Sequence, residues 1–211
     1  MNMELIYMMP GEFDPHLGEA FRQPHLMINL LGERFMNEEI MPNTTYTGNA
    51  IARQKNRTAF LIFDETIKKH MESVGFDCIG VVFPVTKVEN FDVLFQGHIE
   101  KGFKEIFKAN TIEELAEKTG IDTVGIRKTV DEYNGFCAKG YDETFNKNRR
   151  LLRPVATGPF YAGRFLPGAY GSLGGIKINE RTEVLGKDWK KIPGLYAAGM
   201  RNDKQFSIIA I

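Results

Sequence analysis

Neither sign of charge dominates this chain. Its 211 residues carry 27 lysines and arginines against 27 aspartates and glutamates, and no long block of one sign interrupts them. A nucleic-acid-binding domain needs a basic face for the phosphates, so no nucleic-acid partner is expected. No apolar run approaches the ~20 residues of a membrane-spanning helix, and Met1 does not lead into the basic stretch and apolar core of a cleavable leader. A chain without a membrane span, located in the cytoplasm, is the expectation. Cysteine is scarce: Cys78 and Cys137 stand far apart, without a metal ligand's spacing to His16, His25, His70 or His98. They are expected as reduced, buried thiols, and no metal site is expected. Internal repeats and low-complexity linkers are absent too.

What the chain does have is apolar residues enough for a core, 43% of the total, divided among short runs. The opening stretch, MNMELIYMMPGEFDPHLGEAFRQP, has no clear period and reads as irregular. Leu26–Leu31 and Thr58–Asp64 are short apolar runs, each closed by a polar or glycine residue, and read as strands. ETIKKHMESVG is a short helix that Gly75 would end. DCIGVVFPVTKV and NFDVLFQGHI read either as a strand pair or as a strand and the entry to a helix.

The strongest local signal lies between residues 111 and 137. Thr111 stands three residues before Glu114, the spacing at which hydroxyl and carboxylate cap a helix reciprocally. Ile112, Leu115 and Ala116 form its inner face, and Gly120 sits where a left-handed cap ends the helix. Asp122 then caps a second helix, whose Ile126, Val130, Tyr133 and Cys137 fall on one stripe. The polar stretch AKGYDETFNKNRRLLRP reads as a surface crossing. After it, GGIKIN reads as an alternating strand, ERTE as a turn and GLYAAGM as a buried strand of small residues.

Three of these segments, in this order, resemble the flavoprotein subunits of fumarate reductase and succinate dehydrogenase, and most of all their soluble, flavocytochrome-like branch. They are MINLLGERFMNEE, TIEELAEKTGIDTVGIRKTVDEYNGFCAKGYDETF, and GPFYAGRFLPGAYGSLGGIKINERTEVLGKDWKKIPGLYAAGM. The likeness runs from about His16 to Met200. It implies an α+β fold: the capping (catalytic) domain of such a flavoprotein, with a partial flank of its FAD-binding α/β domain. Residues 1–20 would lead out of the FAD domain, 21–157 would form the capping domain around the 111–137 hairpin, and 158–211 would return into the FAD domain. The cofactor implied for the intact enzyme is FAD. Ser172, Gly174, Gly175 and Gly199 are the implied flavin contacts, the glycines because a side chain there would occupy the flavin's space.

Flavin binding in this family also needs a G-x-G-x-x-G turn opening a helix, and these 211 residues contain none. The expectation is a fragment that binds no FAD alone, with another chain as the candidate source of its missing FAD-domain segments. The family's proton-delivery motif, Thr-Glu-x-x-Arg, survives as GEAFR, with Glu19 and Arg22 kept and Gly18 in place of threonine. The arginine that acts as the family's acid does not survive: Pro42, Asn43 or Thr44 falls there, and no arginine lies between Arg34 and Arg53. The histidine that clamps a substrate carboxylate is replaced by Gly171, next to Tyr170. Tyr170, with Tyr46 as a second candidate, can instead hydrogen-bond a substrate carbonyl. Arg34 is expected to hold its turn to Asn37–Glu38, and Arg164 to bind an anion or pair with a carboxylate.

Two functions follow. The first is part of a FAD-dependent oxidoreductase that exchanges hydride with an activated C=C bond of a small unsaturated substrate, fumarate-like or an enone. The second is a non-catalytic α+β domain, a gene remnant or an interaction module. The hairpin is independent of that choice. Thr111→Ala should cost on the order of 1 kcal/mol in urea unfolding, and Val130→Ala more, since it opens the inner seam. Hairpin amides that exchange as fast as those of an unfolded peptide would contradict the assignment.

Overall fold

Two fully buried strands set the frame. In the computed structural model, which describes residues 2–8, 14–80, 83–173, 176–197 and 208–210, the elements run β1 (Asn2–Met8), α1 (Pro15–Ala20), β2 (Leu26–Asn29), α2 (Thr44–Ala52), β3 (Ala59–Asp64), α3 (Glu65–Ser73), α4 (Phe91–Glu100), β4 (Ile106–Ala109), α5 (Ile112–Thr119) and α6 (Thr123–Lys139). β5 (Phe160–Leu173), β6 (Glu183–Leu185), β7 (Lys191–Ala197) and β8 (Ile208–Ala210) follow. Every residue of β2 and β3 is buried. The chain therefore reads there as unbroken apolar runs instead of alternating ones. β2 pairs with β3 from Leu26↔Ile62 to Asn29↔Ala59, β3 with β5 from Ala59↔Phe165 to Asp64↔Phe160, and β4 with β5, all antiparallel. The sheet order is β1-β5-β3-β2, with β4 also on β5. Mixed helices and antiparallel sheet agree with the α+β expectation.

The backbone forms two compact units, Tyr7–Pro167 and Met1–Ile6 with Gly168–Ile211, and β5 passes from one into the other. In the smaller unit β6, β7 and β8 form a three-stranded antiparallel sheet. The Asn179 side chain makes its turn by accepting from the N–H groups of Arg181 and Glu183. In the larger unit, Phe21, Phe63, Phe91, Phe95 and Tyr161 interlock, with neighbouring ring centroids 5.1–6.2 Å apart.

The hairpin follows its sequence. Glu114 N–H donates to Thr111 Oγ1 at 3.1 Å, and the Glu114 carboxylate accepts from Asn110 N–H at 2.8 Å, one residue upstream of the cap. Gly120 ends α5 at φ 74°, Asp122 caps α6, and Ile126, Val130 and Tyr133 are buried. Other expectations need correction. The opening stretch is not irregular: it contains β1 and α1, the latter started by Asp14 and Pro15. Of the two readings of NFDVLFQGHI the helical one holds, as α4, because Phe91, Phe95 and His98 share one buried face. Of GLYAAGM, Gly194 is exposed and Leu195, Tyr196 and Ala197 of β7 are only half-buried, while residues 198–200 lie outside the described ones; Ile176 and Ile178 form no strand, Ile178 making a single bridge to Val184. Cys78 and Cys137 are free but only half-buried.

The largest correction concerns the supposed surface crossing after α6. Two of its charged residues, Asp142 and Lys147, are buried. Arg34, in the turn after β2, reaches both Glu38 and Asp142 with paired hydrogen bonds: 2.9 and 2.8 Å to Glu38, 3.0 and 2.7 Å to Asp142. Its guanidinium lies 5.0 Å from the Tyr133 and Phe145 ring centroids. Lys147 Nζ donates to Tyr133 Oη at 3.0 Å and lies 3.4 Å from Glu38. Burial alone would lower the pKa of Arg34, but the hydrogen bonds to Glu38 and Asp142 outweigh it and the net shift is upward. Burial likewise pushes Asp142 up, and the Arg34 hydrogen bond more than offsets this, leaving its carboxyl below its ordinary value. Desolvation dominates at Lys147 and lowers it. Arg34 thus holds its turn to Glu38, as expected, and joins it to a loop more than a hundred residues away.

Arg34→Ala should destabilise the protein by about 3–5 kcal/mol in urea unfolding, because it strands two buried carboxylates. Arg34→Lys should recover little, since an ammonium cannot fork to both. The depressed Asp142 pKa gives a second expectation, with a definite sign. The stability it contributes is complete above the ordinary carboxylate pKa and is lost as pH falls through the lower value in the fold. The gap between wild type and Asp142→Asn should be widest near neutrality and close below about pH 4. A gap that stays constant with pH would remove Asp142 from this role.

Candidate functional site

α1 carries Glu19, and Arg22, its partner in the GEAFR motif, stands in the turn that follows the helix. The helix begins where Asp14 accepts from His16 N–H at 2.9 Å and Pro15 occupies the first turn. Leu17, Ala20 and Phe21 turn into the core, while Glu19 is buried on another side of the same short helix. A carboxylate so placed must find a cation or donor. Arg22 Nη1 supplies it, donating to Glu19 Oε1 at 3.1 Å. The pair is asymmetric: the Glu19 side chain is 6% exposed and that of Arg22 39%. One end faces the interior and the other faces solvent.

Glu19 is covered by a segment distant in sequence. Gln23, fully buried, donates from Nε2 to Glu19 O at 3.1 Å and to Cys78 O at 2.9 Å. Its Oε1 accepts from Cys78 N–H at 3.0 Å. Asp77 is held by both terminal nitrogens of Arg153, at 2.8 and 2.9 Å. Gly80 then lies against the carboxylate, so near that a Cβ built there would meet Glu19 Oε2 at 2.7 Å. Neither Gln23 nor Gly80 stood out in the sequence, and no local signal links positions so far apart.

The other candidates fare differently. Tyr170 and Ser172 fall within β5, in the smaller unit, whereas Glu19 and Arg22 belong to the larger one. Gly174, Gly175 and Gly199 lie outside the described residues. Tyr46 is 65% exposed on α2. At the position of the family's acid, Pro42, Asn43 and Thr44 are exposed, and Asn43 spends its side-chain oxygen capping α2 through Tyr46 N–H. Arg53 is exposed at the far end of α2. Arg164 pairs with Glu105 through Nε and Nη2, so it meets a carboxylate of its own chain.

A second polar group lines an open cleft of about 670 Å³ between α3, α4, β4 and β5. Lys68 Nζ meets Asp92 at 2.5 Å and Glu65 at 3.1 Å, Lys108 meets Asp92 at 3.1 Å, and Tyr161 Oη donates to Glu65 at 3.0 Å. Burial, then the Asp92 charge and the Glu65 hydrogen bond, push the Tyr161 hydroxyl far above its ordinary pKa. Two cations and two anions satisfy one another here. The cluster ties four elements together. Among the described residues no group of histidine, cysteine and carboxylate side chains could hold a metal ion, and no helix is long and apolar enough to cross a membrane.

Comparison with known proteins places this geometry in context. The family described as FAD binding domain matches residues 1–202. The chain is 36% identical over 182 residues to a vinyl phenol reductase of Lactiplantibacillus plantarum, covering 85% of this chain and 36% of that protein. It is 33% identical over 174 residues to a urocanate reductase of Eggerthella lenta, covering 82% of this chain and 26% of that protein. The open conformation of a flavocytochrome c3 fumarate reductase superposes with a TM-score of 0.64 at 24% identity, over 94% of this chain and 31% of that one. The chain therefore spans about a third or less of the length of these relatives.

Proposed function

The chain belongs to the FAD binding domain family, and on that premise we propose that it is part of a FAD-dependent oxidoreductase acting on an activated C=C bond. FAD is the proposed cofactor of the whole enzyme, and once reduced it supplies a hydride to one alkene carbon. The other alkene carbon needs a proton. The observation that carries the chemistry is the Glu19–Arg22 contact at 3.1 Å, with a buried carboxylate and a guanidinium half open to solvent. Glu19 carries the proton inward; Arg22 balances and orients it from the solvent side. Tyr170 is proposed to donate a hydrogen bond to a substrate carbonyl, and Ser172, Gly174, Gly175 and Gly199 to contact the flavin. Residues 21–157 are read as the capping domain and 158–211 as part of the FAD-binding domain.

Relatives are named for vinyl phenol and urocanate as well as for fumarate, so a substrate other than fumarate is compatible with the family. A vinyl phenol presents a C=C bond without any carboxylate. A dicarboxylate needs donors at both ends, and an unpaired buried carboxylate costs several kcal/mol. Position 171 is glycine and positions 42–44 carry no cation, which favours a neutral or monoanionic substrate.

The test is oxidation of a reduced dye by the full-length FAD-loaded protein, with fumarate set against a panel of vinyl phenols, enones and unsaturated monocarboxylates. Fumarate should turn over negligibly. Glu19→Gln should lower kcat by roughly 100-fold on the best substrate, and Arg22→Ala should slow turnover far more than it weakens flavin binding. Rapid fumarate turnover would reveal an acid at another position, and Arg53 would be the first to replace.

A further inference from the structure

The carboxylate of Glu19 is placed less by its own helix than by the segment that crosses it. One amide, that of Gln23, uses both hydrogens and its oxygen, reading the C=O and N–H of Cys78 and the C=O of Glu19 together. The neighbouring residue, Asp77, is fixed by Arg153. With two consecutive residues anchored, the backbone reaching Gly80 has little freedom. At Gly80 a Cβ would stand 2.7 Å from Glu19 Oε2, 3.0 Å from Cδ and 3.1 Å from Oε1. All three near atoms belong to the carboxylate group. Nor does the backbone itself demand glycine there, since Gly80 is not among the positive-φ glycines.

We infer that Gly80 and Gln23 are positioning residues for the Glu19–Arg22 pair. Gln23 fixes the crossing segment, and the bare backbone at Gly80 forms the wall that seats the carboxylate against Arg22. This rests on the relay role proposed for Glu19 and adds what that role requires. A methyl group at Gly80 would push the end of a flexible side chain and leave the surrounding fold alone. The damage falls on the carboxylate's position.

In the full-length FAD-loaded protein, Gly80→Ala should lower kcat by roughly 10- to 100-fold, the order expected for an ångström-scale misplacement. KM should stay within about two-fold, and the thermal midpoint should hardly move. Glu19→Asp withdraws the carboxylate by one methylene and makes room for the added methyl. In the Gly80→Ala background it should therefore cost far less than in wild type, a coupling that a merely structural effect would not produce. Gly97→Ala, where a Cβ meets nothing within 4 Å, is the control and should leave turnover unchanged. Gln23→Ala should also slow turnover, with a lower thermal midpoint, so the Gly80–Glu19 pair decides. Losses that simply multiply would overturn the inference. So would a Gly80→Ala enzyme as fast as wild type beside a slow Glu19→Gln enzyme, and that result would leave the relay standing. Wild-type speed in Glu19→Gln would bring down the relay itself, and the positioning role with it.

Discussion

The guanidinium of Arg34 is the constraint on which the larger unit is organised. Four charged groups, two of each sign, are removed from water where the turn after β2 meets the loop after α6. Desolvating them is expensive, and only a planar donor with several fixed N–H groups can serve both Glu38 and Asp142 at once. The aromatic rings of Tyr133 and Phe145 complete the enclosure. Asp142 also gathers the N–H groups of Thr144, Phe145 and Lys147, so the loop is wrapped around the carboxylate instead of lying on the surface. Glu38 in turn accepts from Met27 N–H, which couples the ionic centre to β2.

From β2 the constraint passes to α1. Only Pro24 and His25 separate Gln23 from the strand, and His25 is itself buried against Met71 and Phe63. Desolvation, reinforced by the Lys147 charge, holds the His25 imidazole well below its ordinary pKa, so it packs as a neutral ring. The short helix before it cannot shift without moving the strand. That matters because a six-residue helix has little stability of its own. The position of Glu19 comes from what surrounds α1: the core beneath Leu17 and Phe21, and the Asp77–Gly80 segment above.

Within the proposed function, the family scaffold and the chemistry at its centre have separated. The elements that hold the scaffold, among them the Arg34 turn and the 111–137 hairpin, are kept. On that proposal the positions that would read a dicarboxylate are not, and of Pro42, Asn43 and Thr44, where the family's acid would fall, Asn43 caps a helix. A helix cap in that loop keeps the fold without a cation there. A scaffold stable through its own ionic and aromatic contacts tolerates such exchange at a loop, which is how one fold comes to serve different unsaturated substrates.

The sequence by itself determined the parts governed by local rules. The capping box at Thr111, the left-handed cap at Gly120, and the buried runs of β2 and β3 all depend on neighbours within a few residues. The Glu19–Arg22 contact was legible as well, because a glutamate and an arginine three residues apart across a turn can lie side by side. Only the tertiary structure decided the rest. Nothing near Asp142 or Lys147 in the chain says that a polar stretch will be buried, because their partner lies on another element. Gln23 and Gly80 were equally silent. An amide's partners and the space beside a glycine are set by a segment some sixty residues away, and long-range packing leaves no period to read.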